Sequence, residues 1–589
     1  MSRRSTLPVG ETASSWAMPG QHQGTRRLLG FLLLLGIAIV WFGTLDARHL
    51  LRSDEGRYAE IAREMWVSGD WVTPRYNGLK YFEKPPAHLW MTALVFELFG
   101  AGEWQARLWV ALSGAAGLLL TALAAWRWWG PRVAMLTGLA LLAAPNWNLG
   151  SHFNALDMSL SGALAAVLAC TLIAQHPDAT PQQRRMWMLL GWAAAGVAVL
   201  TKGLVGLVLP ALALLVYLAW TRDWLLWRRL HLLSGGAVML LVTVPWFWLM
   251  AQRNPEFLHF FFIQEHFQRY TSSVHQRGAP VWYFVPQLLG GFLPWLGLWL
   301  AMVGRVWSEP GQRQFRPVAL LGAWAVAIFC FFSASGSKLP GYILPMMPAL
   351  AILAALVLAQ MSPRAWSRQL IGALLVALGL TTAAPFVGTM SSDTVPSALF
   401  QAYAQWLVAA TALLVLGALA ALWLHRRGRQ DASMVVYGLA MFLGTTVGLV
   451  GHDTLGRSSS GIDLVPKIQA VLTPGMPLYG VKLLDHTLPF YLRHTLVMVE
   501  APDELAFGVK QEPHKWLPTM AAFSERWRSG VPAMALMSPQ TFASPEVAAL
   551  PTTVIARDTR RVVVVNFEPP AAPPVAPPAG PPVAPPVAP

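Results

Sequence analysis

Residues 28–45 read LLGFLLLLGIAIVWFGTL, an apolar run without a single charged side chain. Similar runs of about 18 to 22 residues recur as far as Gly451, and about 20 residues are needed to cross the hydrocarbon core of a bilayer. The composition agrees, because 55% of the residues are hydrophobic and only 12% are charged. The sequence therefore predicts a polytopic α-helical membrane protein.

The net charge of +14 does not indicate nucleic-acid binding, because no soluble segment carries a basic stripe interleaved with aromatic residues. The positive charge instead indicates the topology of the chain in the membrane. Arginines cluster between apolar runs, as in cytoplasmic loops. All these clusters face inward only if residues 87–100 form a helix lying at the interface instead of a span. This choice gives thirteen predicted spans: 28–45, 104–126, 133–149, 158–175, 186–201, 203–220, 231–250, 283–304, 317–334, 342–360, 369–389, 402–424 and 433–451.

The predicted topology divides the chain into four regions. They are a cytoplasmic amino terminus (1–27), a membrane domain (28–451) whose first outer loop (46–103) carries interfacial helices, an outer α/β domain (452–568) and a Pro/Ala-rich tail (569–589). Short alternating patterns predict the α/β domain, with strands at 476–484, 495–500, 532–537 and 562–567 and helices at 502–509 and 520–529. The tail is typical of a polyproline or disordered segment.

An acidic pair, Asp54 and Glu55, follows Ser53 just after the first span, and Ser53 is expected to be the N-cap of an amphipathic helix that starts there. The plain interpretation is that two acids stabilise the start of a helix. A functional interpretation gains weight because further polar residues reach the same face of the predicted membrane domain. These are Glu83 and Lys84, Asn154 and Asp157, Lys202, residues 265–270, and Lys338 with Tyr342.

Three motifs carry a family resemblance: RSDEGRYAEIAREMWVSGDW at 52–71, YFEKPPAHLW at 81–90 and FNALD at 153–157. They resemble lipid-to-lipid glycosyltransferases of the GT-C fold, which are related to protein O-mannosyltransferases. The extended match is most similar to the lipid A 4-amino-4-deoxy-L-arabinose transferases. The resemblance implies a GT-C membrane domain with about thirteen spans in the bacterial inner membrane, with the active site and the carboxyl-terminal domain facing the periplasm.

The resemblance also implies the reaction. We expect a glycosyltransferase that moves 4-amino-4-deoxy-L-arabinose from undecaprenyl phosphate to lipid A phosphate by an inverting displacement. This transfer lowers the negative charge of lipid A and implies resistance to cationic peptides such as polymyxin. The membrane lipids are then the partners, without nucleic acid, and a monomer is expected.

Because negative charge grows on a departing lipid phosphate, fixed cations near it lower the barrier. We expect Lys84 and Arg269 to be catalytic cations, supported by Lys202 or Lys338 and by a hydrogen bond from Tyr342. Asp54 is the acid expected at the reacting centre. Substrate contacts are expected from a wider set: Glu55, Arg57, Tyr58, Tyr81, Glu83, Asp157, Lys202, Lys338 and Tyr342.

A metal is not required by this scheme, although Glu83 and His266 could supply ligands to a divalent ion. Two alternative functions remain open. A protein O-mannosyltransferase, or another polyprenyl-phosphate sugar transferase, would share Asp54 and Lys84. A lipid or sugar transporter would be expected to show internal repeats and charges near the membrane midplane, whereas the carboxylates here collect at one face.

Overall fold

A computed structural model describes residues 23–268, 279–308 and 315–569. Helices α1 to α19 are, in chain order, Gln23–Gly43, Asp54–Ser68, Ala87–Phe99, Glu103–Leu142, Pro145–Gly150, Leu156–Ala174, Pro181–Lys202, Val205–Thr221, Leu226–Arg229, Leu232–Arg253, the π-helical His259–Gln268, Phe284–Gly291, Trp299–Trp307, Pro317–Ala334, Met347–Ala359, Pro363–Ala383, Ser397–Arg426, Gln430–Gly451 and Asp453–Ser460. Short 3-10 helices add Leu293–Leu298, Pro340–Met346, Ala384–Thr389, Ile462–Leu464, Asp503–Leu505 and Pro513–Lys515.

The chain is a multi-span membrane protein. Within the described residues, eight helical stretches are long and apolar enough to cross a membrane, or up to nine if one bent pair counts as a span. Each predicted span overlaps one or more helices, but several of these helices are shorter or more polar than that criterion allows. The count of thirteen therefore stays a prediction. The qualifying stretches are Glu103–Leu142, Leu156–Ala174, Leu232–Arg253, Pro317–Ala334, Pro340–Ala359, Pro363–Thr389, Ser397–Arg426 and Gln430–Ser460.

Two membrane helices are interrupted where glycine and proline fall in the sequence. In α4 the helix breaks at Gly130, whose φ is 81°, immediately before Pro131. Gly tolerates this conformation and Pro lacks the N–H that a continuous helix would use, so the two halves match two predicted spans. The predicted single span 283–304 is instead bent by 94° between Gly291 and Leu293.

The helix α3 contains 13 residues, Ala87–Phe99. At 1.5 Å per residue it is about 20 Å long, which is short of the roughly 30 Å hydrocarbon core. Its length favours the interfacial placement expected from the arginine distribution. The buried side of α3, which includes His88, Leu89 and Phe96, packs against α2 and α4.

The carboxyl-terminal region forms the predicted α/β domain. Its helices α20 to α25 are Val465–Gln469, Leu488–Leu492, Ala506–Gln511, Met520–Trp527, Pro539–Phe542 and Pro545–Ala548. After a small hairpin in the first loop (β1, Arg75–Tyr76; β2, Leu79–Lys80), strands β3 to β8 are Leu478–Val481, Val497–Val499, Trp516–Leu517, Met534–Met537, Thr553–Arg557 and Val562–Val565. The sheet order is β5-β4-β3-β6-β8-β7, parallel from β5 to β6 and antiparallel thereafter.

The carboxyl-terminal α/β domain, called the soluble domain below, shares a hydrophobic core with the first loop of the membrane domain. Ile61 and Met65 of α2 belong to the same buried cluster as Leu488 and Phe490 of α21. Gly56 of α2 lies so close to this domain that an added Cβ would be 2.2 Å from the carbonyl oxygen of His486. Burial of apolar side chains on both sides therefore fixes the domain over the start of α2.

Candidate active site

Glu55, the second acid of the pair, is fully engaged in a buried ion-pair network. Its Oε1 lies 2.8 Å from Nε of Arg107 and its Oε2 lies 3.7 Å from Nη1 of Arg48. Oε1 also accepts a hydrogen bond from the backbone N–H of Asn154 at 3.1 Å. Burial alone would raise the pKa of Glu55, yet the two arginines and this hydrogen bond hold it at about 2. Glu55 is not among the residues that line the pocket described below, so its expected substrate contact stays a prediction.

The side chain of Asp54, one residue earlier, lies outside this network. It lines a polar pocket between the ends of several membrane helices and the soluble domain, and it is ion-paired with Arg57. Ser53 before it has a φ of 66° and makes no side-chain cap, contrary to the expected N-cap. The residues that line the pocket are Asp54, Arg57, Tyr58, Glu83, Lys84, Leu156, Asp157, Lys202, Leu339, Tyr342 and Glu504.

Two lysines enter this pocket from different elements. Lys84, just before α3, lies 3.8 Å from Oε2 of Glu83 and 3.4 Å from Oε2 of Glu265. Lys202, the last residue of α7, is ion-paired with Asp157 in the first turn of α6. The pocket thus holds two ammonium groups, each kept in place by a neighbouring carboxylate.

Tyr342 forms one wall beside Lys202. The ammonium nitrogen of Lys202 lies 4.4 Å from the centre of the Tyr342 ring, which is cation–π distance. Gly341 lies so close to Asp157 that an added Cβ would be 2.8 Å from its Oδ2. The segment after α14 therefore closes the pocket over the Lys202–Asp157 pair.

Arg57 connects the membrane domain to the soluble domain across the pocket. Its guanidinium donates to Asp54 on its own helix and to Glu504 of the 3-10 helix Asp503–Leu505. Burial raises the pKa of Glu504 to about 7, and the negative charges of Glu83 and Asp503 add to this effect against the opposing effect of Arg57.

The remaining predicted site residues lie elsewhere. Tyr81 is buried behind the pocket and donates a hydrogen bond to Oε2 of Glu83 at 3.1 Å. Lys338 is buried and donates to the carbonyl oxygen of Ser335, outside the pocket lining. Arg269 and the side chain of His266 lie outside the described residues, so their expected roles stay predictions.

The expected metal pair, Glu83 and His266, also stays a prediction. Among the side chains that the structure describes, no group of three or more His, Cys, Asp or Glu residues is arranged to hold a metal ion. Glu83 itself lies beside the ammonium group of Lys84 and the hydroxyl group of Tyr81.

Sequence reasoning missed Glu504, which lies 447 positions after its partner Arg57. A single glutamate in a soluble domain carries no motif, so no sequence signal distinguishes it from a surface residue. Only the docking of the domain on α2 brings it into the pocket.

Family models match two parts of the chain. Residues 83–248 match the model described as dolichyl-phosphate-mannose-protein mannosyltransferase. Residues 464–566 match the aminoarabinose transferase C-terminal domain. The first match covers α3 and the membrane helices that carry Asp157 and Lys202, and the second covers the domain that carries Glu504.

Two curated relatives of this chain carry the same functional name. The undecaprenyl phosphate-alpha-4-amino-4-deoxy-L-arabinose arabinosyl transferase of Erwinia tasmaniensis is 36% identical over 329 residues, which is 55% of this chain and 58% of that protein. The protein of the same name from Pseudomonas paraeruginosa is 35% identical over 60% of this chain and 64% of its own length. This chain thus matches about three fifths of the length of these relatives.

A solved structure matches nearly the whole fold. The crystal structure of ArnT from Cupriavidus metallidurans bound to undecaprenyl phosphate superposes with a TM-score of 0.88 and is 54% identical, covering 92% of this chain and 98% of that one. The expected GT-C membrane domain followed by an α/β domain is thereby confirmed. This chain belongs to the family of undecaprenyl phosphate-aminoarabinose arabinosyl transferases.

Proposed function

We propose that this protein transfers 4-amino-4-deoxy-L-arabinose from undecaprenyl phosphate to a phosphate group of lipid A. The observation that supports the proposal is the pocket that Asp54, Lys84 and Lys202 line together at the ends of membrane helices. A lipid phosphate and its sugar can reach such a place without leaving the bilayer. The names of the relatives, and the lipid bound to the similar crystal structure, support this choice of donor.

The reaction is a displacement at the anomeric carbon of the sugar. An oxygen of the acceptor phosphate attacks that carbon, and the bond from the carbon to the undecaprenyl phosphate oxygen breaks. The electron pair of that bond stays on the departing phosphate, whose growing charge is stabilised by Lys84 and Lys202. Attack from the opposite face inverts the anomeric configuration.

We propose that Asp54 acts on the sugar rather than on a proton. An acceptor phosphate is already anionic near neutral pH, so the reaction requires no strong base. Arg57 holds the Asp54 carboxylate in the pocket by an ion pair. An ionised carboxylate beside the anomeric carbon stabilises the positive charge that develops there as the leaving group departs.

The setting follows from the proposed substrates. Undecaprenyl-linked sugars and lipid A meet at the periplasmic face of the bacterial inner membrane, and we place the pocket and the soluble domain on that face. The added amino sugar lowers the net negative charge of lipid A and so weakens the attraction of cationic peptides such as polymyxin. We propose that a monomer performs the reaction.

A protein O-mannosyltransferase is the second candidate, because residues 83–248 match that family model. The match of residues 464–566 to the aminoarabinose transferase C-terminal domain favours the first candidate. A direct comparison separates the two. The purified protein is incubated with undecaprenyl phosphate aminoarabinose or its mannosyl counterpart, each with lipid A or a Ser/Thr peptide, and product masses are recorded.

We expect a mass increase only for aminoarabinose with lipid A. Asp54→Asn serves as the inactive control and Asp46→Asn as the matched active control, because Asp46 is exposed in the same loop. Mannosylation of the peptide would overturn the proposal in favour of the second candidate. Absence of transfer with every pair of substrates would overturn both.

A further inference from the structure

The acids of the pocket differ in what they contact. Asp54 is ion-paired with Arg57, and Asp157 is ion-paired with Lys202. Glu504 gives one oxygen, Oε2, to Arg57. Within the described residues its other oxygen, Oε1, is buried and has no hydrogen-bond donor.

His486 does not satisfy that oxygen. Its Nδ1 lies 3.6 Å from Oε1 of Glu504, which is too long for a hydrogen bond, and the same nitrogen is 2.7 Å from the hydroxyl group of Tyr76. Burial, together with the positive charge of Arg57, lowers the pKa of His486 to about 4, so the ring is neutral near pH 7. A buried carboxylate oxygen without a partner costs free energy until a ligand supplies a donor.

The position of Glu504 is fixed by packing on both sides of the pocket. Phe507, one helical turn later, has its ring centre 4.2 Å from that of Phe260 and 5.3 Å from that of Phe82. Gly508 lies against the hairpin, where an added Cβ would be 2.9 Å from the carbonyl oxygen of Lys80. The soluble domain therefore presents Glu504 to the pocket from a well-packed segment.

We propose that Glu504 is a specificity-determining residue, whose free Oε1 accepts a hydrogen bond from the ammonium group of the donor's amino sugar. This inference rests on the proposed function and names the part of the donor that the soluble domain recognises. An ammonium group is a strong donor and a cation, so it satisfies both the hydrogen-bonding capacity and the charge of a carboxylate.

The two family matches support this assignment independently. The mannosyltransferase model matches residues 83–248, whereas the aminoarabinose transferase model matches residues 464–566, which include Glu504. Mannose has no amino group. Glu504, the residue proposed to recognise the amine, thus lies in the part of the chain that matches a family named for an amino sugar.

The protonation state of Glu504 fits the same role. Its pKa is raised to about 7, so the empty pocket holds a partly protonated carboxyl group near neutral pH. An incoming ammonium group favours the ionised form and displaces that proton. The charged or titratable groups near Glu504 include Arg57, Glu83, Asp503, Asp54 and His486, together with the phenol groups of Tyr58, Tyr76 and Tyr81.

The test compares two donors on the full-length protein. One is undecaprenyl phosphate aminoarabinose, and the other is the same lipid with its amine converted to a neutral formamide. We expect the wild-type protein to favour the amine by about tenfold in kcat/KM, as charged hydrogen bonds do. Glu504→Gln should abolish this preference, and Glu504→Asp, which keeps the charge, should retain part of it.

The control is Glu546→Gln, because Glu546 is a half-exposed acid of the same domain that pairs with Lys482 outside the pocket at 3.0 Å. This variant should behave as the wild type does. An equal loss of activity with both donors in Glu504→Gln would show that Glu504 only positions Arg57, and it would overturn the proposal. Equal use of both donors by the wild-type protein would overturn it as well.

A binding measurement separates this inference from the proposed function. Each donor displaces labelled undecaprenyl phosphate from the wild-type and Glu504→Gln proteins. If the wild-type protein transfers neither sugar but binds the amine about tenfold more tightly, and the variant does not, recognition by Glu504 stands while the proposed function fails. Equal displacement by both donors from the wild-type protein would overturn the inference.

Discussion

The Nε of Arg107 in α4 lies 2.8 Å from Oε1 of Glu55 in α2, and both side chains are almost completely buried. Arg107 also donates to the carbonyl oxygens of Leu45 and Arg48, at 2.9 and 2.6 Å. One guanidinium thus binds the end of the first membrane segment and the start of the helix that carries Asp54. The position of the proposed reacting carboxylate depends on this contact.

Removing one partner of this ion pair should destabilise the protein strongly. Glu55→Gln leaves a buried guanidinium without a counter-charge, which typically costs about 3 to 5 kcal/mol. Thermal unfolding in detergent should show a clearly lowered melting temperature. Glu97→Gln is the control, because Glu97 is exposed and its carboxylate accepts a hydrogen bond from Nε1 of Trp66. An unchanged melting temperature for Glu55→Gln would contradict the stabilising role of this ion pair.

Asp54→Asn should have the opposite effect, with activity lost and stability kept. The Asp54 side chain is 38% exposed, and Arg57 keeps Glu504 as a partner when Asp54 is neutralised. We expect kcat to fall by about 10² or more, as when one electrostatic stabiliser is removed from an active site. Transfer kinetics measure the activity of the variant, and a melting curve on the same sample measures its stability. Near wild-type kcat would exclude Asp54 from the reacting centre.

Lys84→Ala should weaken use of the donor lipid. The ammonium group of Lys84 lies at the pocket, and a charged hydrogen bond to phosphate contributes about 1.5 to 3 kcal/mol, which corresponds to at least about a tenfold change. Displacement of labelled undecaprenyl phosphate measures the affinity directly. Lys80→Ala is the matched control, because Lys80 lies in the same loop and pairs with Glu256 at 3.0 Å. Equal effects of the two substitutions would refute a specific role for Lys84.

The sequence predicted those features that depend on local pattern. Apolar runs predict membrane helices because a helix satisfies its backbone hydrogen-bonding groups within the segment. The Gly130–Pro131 pair likewise marks the break in α4. Topology then placed Asp54, Lys84, Asp157 and Lys202 on one face, and the structure brings them to one pocket. The different contacts of neighbouring Asp54 and Glu55 were not predictable in this way, because they depend on where Arg107 lies after folding.

Features of the soluble domain depended even more on tertiary contacts. The short strand β5 and the edge strand β7 were missed, since two residues at Trp516–Leu517 give no alternating pattern and β7 contains an irregular register between Val554 and Ala556. The approach of Glu504 to Arg57 follows from the shared core between α2 and this domain. Such contacts between distant segments leave no periodic signal.

Asp485 of the soluble domain should make stability depend on acid pH. Burial alone would raise the pKa of this carboxyl group, but Arg561, whose Nε lies 2.6 Å from Oδ2, and nearby backbone N–H groups hold it at about 2. Because the folded pKa lies below the ordinary value of 3.8, the stabilisation is fully present above about pH 4 and is lost as the pH falls towards 2.

Asp485→Asn should therefore lower the free energy of unfolding by about 2 kcal/mol at pH 7, and the difference from wild type should shrink below pH 4. Hydrogen exchange of the β8 amides in the full-length protein, measured from pH 7 to pH 3, reports this difference. Asp463→Asn is the control, because Asp463 is 60% exposed and its pair with Arg457 is open to solvent. A deficit in Asp485→Asn that stays constant over the whole pH range would mean that packing, and not the charge of Asp485, stabilises the domain.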